Sequence, residues 1–181
     1  MKLSEEDGKR FYDLWLPLLD YVNDKRGVNS NLRDIRLSDY LDPAEVKEVS
    51  EVLWADTDLI RGYLDDAEDI ADTDRELIKS WMRCVSGRFI LERILKKGAI
   101  LISVEDEKVY QVSGIISTWD EMFGFARLPL MIHATLMPFG KVIISDGLIQ
   151  TYNVIIGSNM AKGFKDIYMR AKKNGLILRQ L

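Results

Sequence analysis

The stretch from Asp74 to Val104 constrains the fold most, because its pattern changes from helical to strand-like at one glycine. The apolar residues of its first part recur at helical spacing and predict a long helix, Asp74 to Lys97, that stops at Gly98. The apolar stripe swings by roughly 140° near Ser86-Gly87, and a helix with two apolar faces has two neighbours to pack against. The apolar run 99–104 then predicts a strand. We therefore expect this helix to join two subdomains.

The residues before this helix carry further helical patterns. The first helix starts near Ser4 and runs toward Gly27, and Pro17 either kinks it or divides it in two. A second, short helix is predicted from Leu32 to Leu41. Asp42-Pro43 has the residue types of a helix cap and first turn, and another short helix begins at about Asp58. Residues 1–97 are therefore predicted to be a helical subdomain.

The residues after Gly98 have mostly strand patterns. The runs Ala99–Val104 and Val109–Ile116 predict a β-hairpin, and Thr118 with Glu121 has the spacing of a capping box. Further predicted elements are strands Leu130–Met137, Val142–Ser145 and Leu148–Ile156, and a final helix that Ser158 or Asn159 caps and that runs to Lys173 before Asn174-Gly175. The predicted class is α+β: a helical N-terminal half, then a small antiparallel sheet with a C-terminal helix in residues 98–181.

Three segments support a resemblance to known proteins. They are Leu136 to Leu148 (LMPFGKVIISDGL), Gly87 to Ile90 (GRFI) and Ser117 to Met122 (STWDEM). Together they resemble segments of a group of cytoplasmic proteins of Gram-positive bacteria that has no established activity. In that group Lys is more frequent at position 140 and Tyr at position 145, where this chain has Gly140 and Ser145. The resemblance implies an origin and a fold, and it implies no site residues.

Composition excludes several classes of catalytic site. The chain has one cysteine, Cys84, and one histidine, His133, so one chain cannot build a zinc cluster, a redox pair or a site with two histidine ligands. It has no phosphate-binding glycine motif and no G-x-S-x-G nucleophile motif. The sequence therefore predicts no metal site and no cofactor.

The sequence also favours a cytoplasmic protein without a membrane span. No apolar run approaches the roughly 20 residues that cross a bilayer, and the first residues, MKLSEED, are acidic and lack the apolar core of a signal peptide. The single Cys84 cannot form an internal disulfide, which fits a reducing compartment.

Charge argues against nucleic acid over most of the surface. Residues 1–97 hold 16 Lys and Arg against 22 Asp and Glu, whereas residues 98–181 hold 9 against 7. Phosphate binding requires neutralising charge, so only a local basic patch could bind nucleic acid. The final helix offers such a patch, although cations near a helix C-terminus also complement its dipole. Its cations are Lys162, Lys165, Arg170, Lys172 and Lys173, with Arg179 beyond.

His133 is the one candidate for acid–base catalysis. A single imidazole suffices for proton transfer, and a carboxylate such as Asp120 or Asp146 could assist it. A histidine packed in the sheet is the simpler interpretation. Cys84 could be a nucleophile for His133, yet it lies among apolar residues, and a buried free cysteine usually behaves as a small apolar side chain.

Two further clusters have both a functional and a structural interpretation. The acidic run from Asp56 to Glu76 could bind a divalent cation, but no register fits a calcium loop, and helix caps account for several of its carboxylates. Aromatic residues lie beside charges in the segment between two predicted strands, where they form either a recognition surface or a cover over the sheet. The aromatic residues are Trp119, Phe123 and Phe125, and the charged residues are Asp120, Glu121 and Arg127.

We predict Trp119, Phe123 and Arg127 as binding residues. The leading hypothesis is a non-enzymatic cytoplasmic module for protein interaction or regulation, since the sequence lacks a catalytic constellation and the opposite charges of its halves suit guided protein contacts. One alternative is a hydrolase or lyase that uses His133 with a nearby carboxylate. The other is nucleic-acid binding through the basic final helix. The sequence leaves the partner, the substrate and the oligomeric state open.

Overall fold

The computed structural model describes residues 1–32, 35 and 41–181. The chain forms two compact units. The helical unit is Glu6–Arg83, and the sheet unit combines Met1–Glu5 with Cys84–Leu181. Helices precede a sheet that is followed by a C-terminal helix, so the predicted α+β class is confirmed. The short helix predicted from Leu32 to Leu41 lies mostly outside the described residues.

The described part of the helical unit contains four α-helices and a closing 3-10 turn. These elements are α1 (Glu5–Arg26), α2 (Pro43–Ala55), α3 (Asp58–Asp66), α4 (Asp72–Ser80) and the turn Trp81–Arg83. The cap predicted for α2 is confirmed, because the Asp42 carboxylate accepts a hydrogen bond from the Ala44 backbone N–H at 2.9 Å. α1 continues through Pro17 as one helix, and its inner face is buried at helical spacing. The buried side chains are Phe11, Trp15, Leu18, Leu19 and Val22.

The long helix predicted from Asp74 to Lys97 is wrong. α4 ends at Ser80, and Val85–Leu95 is a strand, β1, that pairs with two other strands. The swing of the apolar stripe near Gly87 is the change from helical to strand periodicity, because alternate residues of β1 face opposite sides of the sheet. The two units consequently divide at Arg83 and Cys84, before the boundary predicted at residue 97.

The sheet unit contains seven strands and two helices among the described residues. After β1 come β2 (Gly98–Ser103), β3 (Val109–Ser113), α5 (Trp119–Phe123), β4 (Leu130–Phe139), β5 (Val142–Ser145), β6 (Gln150–Thr151), α6 (Ser158–Lys173) and β7 (Ile177–Leu178). The β2–β3 hairpin, the β4 and β5 strands and the Thr118–Glu121 capping box are confirmed. The strand predicted over Leu148–Ile156 is only Gln150–Thr151, and Gly157 caps α6 instead of Ser158 or Asn159.

Five strands close into a barrel. The pairing runs β1-β2-β3-β5-β4 and returns to β1 through the β1–β4 pair. A register shift between Leu91 and Arg93 marks a bulge, which bends β1 so that it can pair with β4 along its first half and β2 along its second. The sheet is mixed, because β3 runs parallel to β5 and to β7. This strand order, with a helix between the third and fourth strands, is that of Greek-key barrels of the OB type.

The barrel interior is the main core of the sheet unit. Alternate residues of all five strands and Trp119 of α5 form one buried cluster, as expected when a sheet closes on itself. Its strand residues are Phe89, Leu91, Ala99, Leu101, Tyr110, Val112, Ile132, Ala134, Leu136 and Ile143. A second cluster lies outside the barrel, where Tyr168 and Ala171 of α6 pack with Ile90, Ile100 and Ile102. The Arg93 guanidinium lies 4.1 Å from the centre of the Tyr168 ring and helps to hold α6 there.

Candidate protein-binding surface

The helix α5 is fixed to the barrel by its cap and by one buried aromatic side chain. The Thr118 hydroxyl accepts from the Glu121 backbone N–H, and the Glu121 carboxylate accepts from the Thr118 backbone N–H at 2.6 Å. The latter bond lowers the pKa of Glu121 because it stabilises the ionised carboxylate. Trp119 is 1% exposed and stacks on Phe123 with ring centres 5.6 Å apart. Residues 124–127, which follow α5, therefore extend from an ordered helix.

Exposed apolar side chains lie on both sides of Trp119 in the sequence. Phe125 is fully exposed, at 101% relative accessibility, and Ile116 and Met122 are also exposed. We call Ile116, Met122, Phe125 and the exposed Arg127 the α5 surface. The three apolar side chains all lie between residues 116 and 125, and contiguous exposed apolar patches on soluble proteins mark interaction sites.

The predicted binding residues occupy different positions relative to this surface. Trp119 is buried in the barrel, Phe123 is half-buried and packs against the same core, and Arg127 is exposed. Sequence reasoning placed Phe125 in the aromatic group but did not select Ile116 or Met122. No sequence pattern selects them, because Ile116 precedes α5 and Met122 lies only three residues, less than one helical turn, from the buried Trp119.

A cavity of about 330 Å³ opens beside α5, between that helix and the β1–β2 turn. Ile94, Leu95, Thr118, Trp119 and Asp120 contribute to its lining. The indole N–H of Trp119 is buried, and the part of the chain that the structure describes offers it no hydrogen-bond acceptor. Asp120 is exposed.

His133 lies on the outside of the barrel, in the middle of β4. It pairs with Arg88 of β1 and with Gln150 of β6, and directly opposite residues of antiparallel strands point to the same face. Asp120 and Ile94 line the same cavity. Ile94 lies six residues along β1 from Arg88, the residue opposite His133, and six residues of a strand span roughly 20 Å. The structure therefore does not bring Asp120 next to His133.

Asp146 lies closer to His133 and is buried, at 2% exposure. Its backbone N–H donates to the Thr135 carbonyl at 3.1 Å, so it lies two residues along β4 from His133, or roughly 7 Å. The Asp146 carboxylate accepts from the Leu148 backbone N–H at 3.1 Å, which is the geometry of a local turn. The pairing of His133 with a carboxylate for catalysis stays a prediction.

Cys84 lies at the start of β1 and is far from His133. Val85 pairs with Leu136, so Cys84 is four residues from His133 along the strand direction, or roughly 13 Å. Burial and, to a lesser extent, the negative charge of Asp146 raise the pKa of the Cys84 thiol to about 11. A thiol with this pKa stays protonated at neutral pH and is a poor nucleophile. The arrangement does not support a Cys84–His133 pair.

Ion pairs account for part of the acidic run in the helical unit. Arg26 pairs with Asp56 at 2.6 Å, Lys25 with Asp66 at 3.1 Å, and the Arg10 guanidinium donates to Asp74 at 2.7 Å. Hydrogen bonds from Lys25 and Tyr21 lower the pKa of Asp66. Within residues 1–32, 35 and 41–181, no group of three His, Cys, Asp or Glu side chains has an arrangement that could hold a metal ion.

Basic side chains concentrate on the outer side of α6. Lys162, Lys165, Lys172 and Lys173 are exposed, and Arg170 pairs with Glu107 of the β2–β3 loop at 3.6 Å. The sheet unit as a whole holds 14 Lys and Arg against 9 Asp and Glu, a net charge of +5, whereas the helical unit holds 11 against 20, a net of −9. The difference in net charge between the two structural units is therefore larger than the difference between residues 1–97 and 98–181 of the sequence.

The position of α6 also bears on function. In OB-type barrels the outer face of the second and third strands is the usual ligand surface. Here that face includes Ile100, Ile102 and Val109, which are buried with Tyr168 and Ala171 of α6. The fold type therefore carries no ligand over to this chain, in keeping with the general separation of fold and function.

No family model, no curated protein and no solved structure matches this chain. Among the described helices, none combines the length and the apolar composition needed to cross a bilayer.

Proposed function

We propose that the protein is a non-enzymatic interaction module of the bacterial cytoplasm, and that it binds another protein through the α5 surface. The observation that carries this proposal is the full exposure of Phe125 beside a helix whose Trp119 is completely buried. Large aromatic side chains provide much of the binding energy at protein interfaces when a partner pocket receives them. Because the Phe125 side chain is fully exposed, its burial contributes nothing to the stability of the fold. A large apolar side chain in this position is suited to binding a partner protein.

The local structure supports binding with little loss of conformational entropy. The capping box and the buried Trp119 already order the helix from which the α5 surface extends. A surface that is ordered before binding loses less conformational entropy when the partner docks. Asp120 and Arg127 flank the apolar residues and are both exposed, so they fit the polar rim that surrounds an interface core.

The test compares two variants that each remove one exposed apolar side chain. Phe125→Ala changes the α5 surface, and Leu176→Ala changes an exposed residue just before β7. Proteins captured from the host by each variant are quantified by mass spectrometry, and the affinity of a captured partner is then measured with purified components. We expect Phe125→Ala to weaken binding at least about tenfold, as for a residue at an interface centre, and Leu176→Ala to leave it unchanged. Equal binding by both variants would refute the proposal.

A second candidate function is nucleic-acid binding through α6. The observations in its favour are the four exposed lysines of that helix and the net charge of +5 of the sheet unit. Fluorescence anisotropy with a single-stranded oligonucleotide tests it. Affinity must fall steeply as salt increases, because each phosphate contact releases counterions, and Lys165→Glu must weaken binding. The absence of this salt dependence would exclude the function for α6.

A further inference from the structure

The net positive charge of the sheet unit comes from one segment. Residues 162–179, which include most of α6 and all of β7, hold six Lys and Arg against one Asp, a net charge of +5. The rest of the sheet unit holds eight Lys and Arg against eight Asp and Glu and is neutral. The charge is therefore a local feature of this segment and not a general property of the unit.

The helix dipole accounts for only some of these cations. Lys172 and Lys173 are in the last turn of α6, where cations stabilise the C-terminal end of the dipole. Lys162 and Lys165 lie in the first half of the helix, where the dipole gives no such stabilisation. None of the four lysines forms an ion pair with a residue that the structure describes. They are therefore available to a negatively charged partner.

An exposed methionine lies among these lysines. Met169 is 48% exposed, and it follows Lys165 by four residues and precedes Lys172 and Lys173 by three and four residues. Residues at this spacing are neighbours on the surface of a helix. Methionine is enriched at protein interfaces and adapts its flexible side chain to irregular pockets. This face of α6 thus has an apolar centre surrounded by cations.

An apolar groove of about 360 Å³ lies beside the C-terminal half of α6. A depression on the outer side of the helix adjoins it, because Arg170 and Asn174 line both, and Met169 lines the depression. The carboxylates of the β2–β3 loop at the edge of the groove, Asp106 and Glu107, are already in ion pairs. The apolar lining of the groove comes from Val109, Ile167, Ala171, Leu176 and Leu178.

We propose that this face of α6 and the adjoining groove bind a polypeptide segment of a partner protein that carries both carboxylates and large apolar side chains. The α6 surface comprises Lys165, Met169, Lys172, Lys173 and Leu176. The carboxylates of the partner pair with the lysines, and its apolar side chains contact Met169 and enter the groove. Complementary charge selects an acidic segment, and the apolar centre and groove require that the segment also be apolar.

The aliphatic character of the α6 surface favours a polypeptide over nucleic acid. Proteins that bind single strands stack the bases on aromatic side chains. The exposed apolar residues of segment 162–179 are instead Met169, Leu176 and Leu178. Both aromatic residues of α6, Phe164 and Tyr168, pack toward the barrel. Phosphates could contact the lysines, but bases would find no aromatic ring on which to stack.

The first experiment selects peptides that bind the full chain from a random displayed library and measures their affinities by fluorescence anisotropy. We expect a set of enriched peptides that combine Asp or Glu with large apolar residues. For this set, Lys172→Glu should weaken binding at least about fivefold through like-charge repulsion, and Met169→Ala at least about tenfold as the loss of an apolar anchor.

Two variants are matched controls. Lys141→Glu makes the same charge change at an exposed lysine of the same unit outside segment 162–179, and Met160→Ala truncates another exposed methionine of α6. Both should leave the affinity of these peptides unchanged at physiological salt, and circular dichroism confirms that all variants are folded. An enriched set without carboxylates, or one whose affinity Lys172→Glu and Met169→Ala leave unchanged, overturns the proposal.

The second experiment uses a single-stranded oligonucleotide and vesicles of anionic lipid as competing probes. Phosphate binding depends on the lysines, so Lys172→Glu would weaken it and Met169→Ala would not. If either probe shows this pattern and binds more tightly than the peptides, the surface serves phosphate groups and the proposal is wrong.

The α5 and α6 surfaces are tested separately. Leu176 lines the groove, so Leu176→Ala should weaken binding of the acidic peptides and Phe125→Ala should not. This is the reverse of the pattern expected for a partner of the α5 surface. A failure at α6 therefore leaves the proposed function of the α5 surface untouched.

Discussion

Gly98→Ala is the substitution that tests the barrel most directly. Gly98 begins β2 with φ +121°, a conformation that side chains with a Cβ rarely adopt. A Cβ at this position would lie 2.4 Å from the carbonyl oxygen of Val112 on the neighbouring strand. The substitution therefore combines backbone strain with a clash against backbone that has little freedom to move.

The expected loss of unfolding free energy is about 2–6 kcal/mol. Strained backbone conformations cost about 1–3 kcal/mol, and overpacking at a buried position costs about as much again. Gly140→Ala is the matched control, because Gly140 has φ +57° and no atom lies within 4 Å of an added Cβ. It should cost about 1 kcal/mol, which is the conformational part alone. The difference in unfolding free energy between the two variants measures the cost of the clash between β2 and β3.

Urea denaturation of both variants, monitored by tryptophan fluorescence and fitted with a shared slope, provides the comparison. The sequence alone predicts that Gly98 ends a long helix. A glycine that ends a helix commonly has left-handed backbone geometry. In that case Gly98→Ala would reduce the free energy of unfolding about as much as Gly140→Ala. Equal losses for the two variants would therefore refute the barrel geometry around Gly98.

Three further predictions concern other parts of the molecule. The native Cys84 thiol should react slowly with iodoacetamide at pH 8 and faster as the pH approaches its pKa of about 11. Because the folded pKa lies above the unfolded value of about 8.5, the associated stability is present below that value and is lost as the pH rises toward 11, which urea titrations at several pH values will detect. Trp119→Ala should cost about 3–5 kcal/mol as a core truncation, whereas Phe125→Ala should change stability by less than about 0.5 kcal/mol. Arg75→Met removes a guanidinium that donates to two carbonyls at the end of α3, and should cost about 1–3 kcal/mol in the same assay.

Elements defined by local chemistry could be predicted from the sequence. The Thr118–Glu121 capping box and the Asp42 cap each involve residues only a few positions apart, and both form as expected. The stretch 85–95 could not be assigned correctly, because its apolar residues fit a helix nearly as well as a strand. One of its two pairing partners is β4, and Val85 pairs with Leu136 far along the chain. Tertiary pairing of this kind overrides local preference.

The candidate site was predictable to a similar extent. The aromatic composition of the segment after β3 indicated a special surface, yet composition alone cannot tell which aromatic side chain is buried. Closure of the barrel decides this, because Trp119 is part of its interior cluster whereas Phe125 is fully exposed. Barrel closure depends on the β1–β4 pair, the same long-range contact that the sequence did not reveal. The errors in the fold and in the site therefore have one physical origin.

The division of roles within α5 explains how one short helix can serve both folding and binding. Trp119 and Phe123 pack toward the barrel, while Met122 and the following Phe125 are exposed. Substitutions on the inner side change the free energy of unfolding, because they create a cavity in a closed core. Substitutions of Phe125 change contacts with a partner and little else, because that side chain is fully exposed. A partner that selects for a new side chain at Phe125 can therefore do so without destabilising the barrel, whereas Trp119 is constrained by the fold whatever the partner.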